Sequence, residues 1–309
     1  MSRYFREWSV AFVLGALLLV LAVFAPAFYQ GQPLLSLAAS EAPTLVVACG
    51  AALIIICREI DISVGSMFSV CGVCAGLVAT QHAPIWVAVI VAVLTGAILG
   101  AVNGVLVAGL RLPSIVVTLA TMMTWREGLN WWRQGQFVYL PDGLQWFGLS
   151  QSAGQWTVIA MSLILLAALA VAMRRLSAGR FLYAVGTDAE AARLAGIRPQ
   201  LVKFVTFVVM GILTGLAAIM NLVQSPQVDP KSGTGLELKV IAAVVVGGVA
   251  ISGGRGNLWG AFAGMLLLAC ISPALTHLHI EAFWEKAIQG GIILLAVVAD
   301  GVRTRRGKS

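Results

Sequence analysis

The chain has 309 residues, 60% of them hydrophobic and only 11% charged, with a mean hydropathy of +0.94 and a net charge of +7. Soluble domains run at roughly 45–50% apolar and about 25% charged, so this composition excludes a soluble globular protein. Apolar runs of about 18 residues or more recur where a membrane barrel would show alternating segments of about ten, so the fold class is all-α, a polytopic helical membrane protein.

The positive charge is read as topology rather than as a nucleic-acid surface, because Lys and Arg collect on the cytoplasmic side of membrane proteins. About ten apolar segments lie near 8–28, 42–57, 66–80, 84–108, 113–133, 156–173, 203–223, 238–252, 257–276 and 285–301. An even number puts both termini on one side. With the N-terminus inside, that side collects 15 of the 20 Lys and Arg residues, so both termini are expected to be cytoplasmic. The first segment has a basic flank like a signal peptide, but its apolar run is long and further spans follow, which predicts an uncleaved first helix.

The segments 42–57 and 66–80 are short, about 15 residues or roughly 22 Å each, and flank the charged stretch REIDISVGS at 58–66. Two readings stand open: helices that stop inside the protein, where irregular backbone and buried charge need protein or a watery cavity around them, or a simple cytoplasmic turn. Asp61 or Ser63 is expected to cap the following helix, and Gly65 to permit a tight turn. Cys71 and Cys74 form a CxxC pair, but no second pair or nearby His completes a metal site, and buried thiols are expected.

Gly96, Gly100 and Gly104 share one face of the fourth segment and should let another backbone approach closely. At the outer end of the fifth segment Trp125, Trp131, Trp132, Phe137, Tyr139 and Trp146 cluster, as in an aromatic belt. The largest inner loop, 174–203, carries six basic residues. Within it Thr187 or Asp188 is a good N-cap, DAEAARLA a strong helix former, Gly196 a left-handed C-cap and Pro199 a stop, which together predict one short helix outside the membrane, shaped to dock on a partner. Glu237 and Lys239 are expected to pair locally at an outer helix end. The stretch 244–262, VVVGGVAISGGRGNLWGAF, looks broken and resembles a phosphate loop, but lacks the lysine and hydroxyl of GxxxxGK[ST]. The chain is therefore expected not to hydrolyse ATP by itself.

Four stretches carry a resemblance to the inner-membrane permeases of bacterial ABC sugar importers, the ribose, xylose, galactose, rhamnose and autoinducer-2 group. REIDISVGS resembles that family's GGIDLSVGS, with Glu59 standing where glycine is common. LPSIVVTLATMMTWREG at 112–128 is similar to its P-S-x-x-V-T-L stretch. GRFLYAVGTDAEAARLAGI resembles its G-R-x-x-Y-A-x-G segment, and GTGLELKVIAAVVVGGVAISGGRGNLWGAF its G-x-x-E-x-x-x-I-A-A segment; the GTGLELK wording is nearest the autoinducer-2 and rhamnose members. The resemblance spans nearly the whole chain, read as a single permease domain over 1–309.

The resemblance implies a pathway formed with a second permease chain, two cytoplasmic ATP-binding subunits below it and a periplasmic sugar-binding protein above, with the chain multi-pass in the inner membrane and in contact with lipid. ATP and Mg would be held by the partner ATPase, and no cofactor or metal by this chain. Gly179, Arg180, Gly186, Asp188, Glu190, Ala191, Ala192 and Gly196 fall in the segment that would rest on the ATPase. A sugar pathway needs hydroxyl-reading groups, for which Glu59, Asp61, Ser63, Ser66 and Asn103 are the candidates. Glu59 could alter solute preference or pair with Arg58. The competing reading is an ion-gradient transporter with Asp61 and Glu59 as proton or cation sites; an intramembrane enzyme lacks any HExxH, GxSxG or matched carboxylate pair.

Overall fold

The computed structural model describes residues 26–277 continuously, together with 12, 14–16, 18–19, 21–23, 281, 284, 287–288, 290–291 and 294. The predicted segment 8–28 lies partly, and 285–301 mostly, outside the described residues. The helices are α1 (Gly31–Ile56), α2 (Val64–Ala79), α3 (Ile85–Gly104, continued by a π turn, Val105–Gly109), α4 (Ser114–Arg133), α5 (Gln151–Arg175), α6 (Ser177–Thr187), α7 (Ala189–Leu194), α8 (Pro199–Leu222), α9 (Leu236–Val246), α10 (Leu258–Ala269) and α11 (Ile271–His277). Two-residue strands, β1 (Val138–Tyr139) and β2 (Gln227–Val228), pair antiparallel with Val138 opposite Val228. Among the described residues five helical stretches are long and apolar enough to cross a membrane: Gly31–Ile56, Ile85–Gly109, Gln151–Arg175, Pro199–Leu222 and Leu258–Thr276.

α1 is the axis of the bundle. Every residue from 42 to 57 is buried, as expected of a helix apolar all round. The expectation of a short helix over 42–57 is corrected: α1 begins eleven residues earlier, at Gly31, and its 26 residues cover about 39 Å. Glu41 and Pro43 interrupt the apolar run, and tertiary contacts accommodate both. Pro43 cannot donate to the carbonyl of Ala39, and the side-chain amide of Gln224 on the chain just after α8 donates to that carbonyl instead, at 3.0 Å. Glu41 is paired with Lys239 of α9 at 2.6 Å.

α2 is short, 16 residues, and α9 shorter still at 11. Each covers less than a bilayer, and they meet start to start, Gly65 against Glu237. Residues 228–237 run antiparallel along α2, with the Gly233 amide donating to Ser69 Oγ at 3.0 Å and Gly65 packed against Gly233 and Glu237. Gly65 is thus needed for this close approach and makes no turn; it lies within the helix. The predicted segment 238–252 ends at Val246, because Gly247 and Gly248 (φ 90°) open the irregular stretch that precedes α10.

α3 packs along α8 through glycines. A Cβ on Gly96 would collide with the Gly211 carbonyl, and one on Gly100 with that of Phe207, while one on Gly104 would come within 2.9 Å of the Phe204 ring. α3 and α5 otherwise turn most of their apolar surface outward. One end of the bundle collects the C-termini of α1, α3 and α5, the start of α8, and α6 and α7. Arg58, Arg111, Arg174, Arg175, Arg180, Arg193, Arg198 and Arg255 are all exposed there. We call this the basic end.

Candidate functional site

The stretch 58–63 combines features of both readings. α1 closes with a left-handed residue, Arg58 (φ 66°), whose amide donates to Ile55 while the Glu59 amide reaches back to Ile54. This is the hydrogen-bond pattern of a glycine-type helix cap, built here on arginine. Arg58 is exposed at the basic end, but Glu59, Asp61 and Ser63 are buried as the chain climbs inward to α2.

There a polar network forms. The Ser63 amide and Oγ both donate to Asp61 Oδ1, at 2.8 and 2.6 Å. Asn103 Nδ2 of α3 donates to Ser63 Oγ at 2.8 Å, and Thr121 Oγ1 of α4 donates to Asn103 Oδ1 at 2.9 Å. Ser66 Oγ turns back to the Ser63 carbonyl at 2.7 Å. Ser114 and Thr118 of α4 hold Ile60 from either side, through its amide at 3.2 Å and its carbonyl at 3.4 Å. Four of the five candidate pathway residues therefore come together, while Glu59 stands apart. Asp61 binds the Ser63 amide rather than the free amides of α2, and the Ser63 side chain caps nothing. Asp61 Oδ2 is buried with no hydrogen-bond partner among the described residues. The network joins the α1–α2 linker to α3 and α4, and its residues are enclosed rather than open to a channel.

Among the described residues three ion pairs tie helices together. Glu59 does not pair with Arg58; it binds Lys203 of α8. Arg126 of α4 binds Glu237 of α9 at 3.1 Å, and Lys239 binds Glu41 of α1 at 2.6 Å. The expected local pairing of Glu237 with Lys239 is overturned, because residues two apart on a helix point to different sides. The Glu59–Lys203 pair has side-chain exposures of 10% and 27%, between the buried and the exposed extremes. Glu59→Ala should therefore cost on the order of 1–2 kcal/mol. In a four-member thermal-unfolding cycle in detergent, Glu59→Ala/Lys203→Met should lose less than the sum of its two single variants; additive losses would show no coupling.

The loop 174–203 holds two helices where one was expected. α6 was not recognised because GRFLYAVG carries glycines at both ends; packing decides it, burying Gly179, Leu182, Val185 and Gly186 along one face. α7 lies within the predicted stretch. Asp188 caps it by accepting from the Glu190 and Ala191 amides at 2.9 and 3.0 Å, and Gly196 (φ 84°) follows its end. Glu190 pairs with Arg193 at 2.5 Å, a bond that holds its carboxyl below the usual carboxylate range. Arg180, Phe181, Glu190, Ala191, Arg193 and Leu194 are exposed, and Ala192 is buried.

α4 shows what sequence reasoning missed. Ala120, Thr124, Glu127 and Trp131 lie on one exposed face, and Glu127 sits in the fourth turn of a 20-residue helix. An ionised carboxylate at that depth is costly against hydrocarbon. Thr121, Arg126, Lys203 and Glu41 were not picked out either; only their polar character within apolar helices marked them. Trp131, Trp132 and Tyr139 are exposed at the end opposite the basic one.

Short and broken helices around a buried polar network, with basic residues gathered at one end, mark a helical membrane protein. A family model for the permease component of branched-chain amino acid transport systems matches residues 34–297, and the chain belongs to that family. The Autoinducer 2 import system permease protein LsrC of Enterobacter sp. strain 638 is 35% identical over 297 residues, covering 96% of this chain and 87% of that protein. The protein of the same name from Klebsiella pneumoniae is 36% identical over 297 residues, 96% of this chain and 86% of that one. That of Escherichia coli O157:H7 is 36% identical over 293 residues, at 93% and 86%. No solved structure matches the chain.

Proposed function

We propose that the chain is the transmembrane permease subunit of a bacterial ABC importer, in the inner membrane, carrying a sugar-like solute of the autoinducer-2 type. The observation that carries this reading is the 35–36% identity to import permeases along more than 90% of the chain. The chain is one permease domain with about ten membrane segments, both termini cytoplasmic and the basic end inside, as the charge bias favours. ATP and Mg belong to two partner ATP-binding subunits that dock on α6 and α7, through Arg180, Glu190 and the exposed Leu194. A binding protein delivers solute at the opposite end. A second permease chain faces α4, so that Thr124 and Glu127 border a watery pathway instead of lipid. Asp61, Ser63, Ser66 and Asn103 hold α2, α3 and α4 in register behind it.

ATP-driven closure of the ATPase pair moves the docking face as a rigid body and switches the pathway between outward and inward states. Tagged purification from mild detergent, with mass spectrometry of what accompanies the chain, should recover an ATP-binding subunit. A chain that purifies alone and moves solute on an ion gradient would overturn the reading. Glu190→Lys is expected to lower ATP-driven uptake at least tenfold while the protein stays in the membrane, since it replaces an exposed docking charge and repels Arg193. Normal uptake would remove α7 from the docking face.

A further inference from the structure

We propose that the glycine-rich turn at 247–256 is a backbone clasp that fastens α6 to the end of α1, and that Gly186, Gly254 and Tyr183 position it, so that the docking face moves the core directly. The inference rests on the reading of α6 and α7 as the ATPase docking face.

Three stretches remote in sequence meet here. The Gly254 amide donates to the Ile56 carbonyl at 2.8 Å. That carbonyl belongs to the last turn of α1, where carbonyls lack partners within the helix. Gly186, near the end of α6, lies directly on the same carbonyl and beside the Gly254 amide; a Cβ there would overlap the Ile56 oxygen. Tyr183 Oη, one turn earlier on α6, donates to the Gly256 carbonyl at 2.8 Å. Gly253 and Gly254 have φ of 80° and 68° and abut Arg58 and Thr187 respectively, so the turn needs glycine both for its backbone and for its neighbours. Internal bonds stiffen it: the Ala250 amide donates to the Arg255 carbonyl and the Gly253 amide to that of Ala250, each at 3.0 Å.

The clasp accounts for a motif the transport reading leaves unused. ISGGRGN has the glycines of a phosphate loop without its lysine or hydroxyl. Its backbone instead meets other backbone. Chain connectivity alone would link α6 and α7 only to α5, which is peripheral, and to α8. The clasp adds α1, and through it the 57–63 linker that ends in the Asp61 network. It also adds α9, whose first turn carries Glu237. Burial pushes the Tyr183 phenol up from its ordinary value, against a smaller lowering by Arg174, so the hydroxyl remains a donor throughout the physiological range.

The test is hydrogen exchange read by mass spectrometry on the full complex of permease and ATP-binding subunits, free and trapped with ATP and vanadate. In the wild type, trapping should change exchange at least fivefold in α6–α7 and also in peptides covering 53–63 and 236–246. Tyr183→Phe removes one hydroxyl and leaves the ring in place. It should keep the change in α6–α7 and lose it in the other two. Gly186→Ala should do the same more completely; if it fails to assemble, Tyr183→Phe decides alone. An unaltered response of 53–63 and 236–246 in Tyr183→Phe, or no response there in the wild type, overturns the clasp. Loss of the response in α6–α7 of Tyr183→Phe also overturns it, since the hydroxyl would then serve docking. A wild-type chain that binds no ATP-binding subunit refutes the docking reading itself and the clasp with it.

Discussion

Arg126→Ala is expected to destabilise the protein more than any other single side-chain truncation, by about 3–5 kcal/mol, the range for removing one partner of a buried pair. Glu237 is the reason. Its side chain is 8% exposed, and Oε2 already has no hydrogen-bond partner among the described residues. Without the guanidinium, a carboxylate would remain between α2, α4 and α9 with little to offset its burial. The opposite truncation should be milder, because Arg126 is 22% exposed and can turn toward water. Arg126→Met/Glu237→Leu should regain most of the loss in thermal unfolding, since an apolar pair of similar volume is often neutral. Arg126→Ala within about 1 kcal/mol of wild type would show that the pair contributes little.

Gly100→Leu should lose the fold at the α3–α8 seam. The first added carbon meets the Phe207 carbonyl, and across the seam Gly211 is equally close to Gly96. Backbone cannot yield as a side-chain tip can, so α3 must back away along its length and uncover Phe207 and Met210, both fully buried. Overpacking of this kind costs about 1–3 kcal/mol when only side chains shift; with two backbones forced apart, about 3 kcal/mol or more is expected. Detergent-stable protein should fall at least tenfold. Gly109→Ala is the control: its Cβ would meet only Val105 Cγ1, at an ordinary 3.7 Å, and it should behave as wild type. Equal yields of the two variants would mean that the seam is not a tight contact.

How much of this could be read from sequence follows from which interactions are local. The spans 84–108, 156–173 and 203–223 are legible because apolar length is a property of one segment, and the structure places helices at Ile85–Gly109, Gln151–Arg175 and Pro199–Leu222. The Asp188 cap and Gly196 are legible for the same reason: a side chain meets the backbone two or three residues on. The full length of α1 is not legible locally, since Pro43 and Glu41 find their compensation at Gln224 and Lys239, more than 180 residues away. Of the candidate site, Asp61, Ser63, Ser66 and Asn103 were visible as polar residues in apolar sequence. Thr121, which completes their network, lies in the 112–128 stretch but was not marked within it, because its partner Asn103 is on another helix.

Sequence by itself determined the class of protein, the helical medium and the concentration of basic residues between certain segments, because these depend on composition and on residues close along the chain. Only the tertiary structure decided that Arg126 belongs to Glu237 and Glu59 to Lys203, that α2 and α9 stop short and meet at Gly65, and that the glycines of 247–256 face backbone. The physical reason is common to all three. In an apolar interior a charge or an unpaired backbone group must find a partner, and which one it finds depends on how helices far apart in the chain are brought side by side.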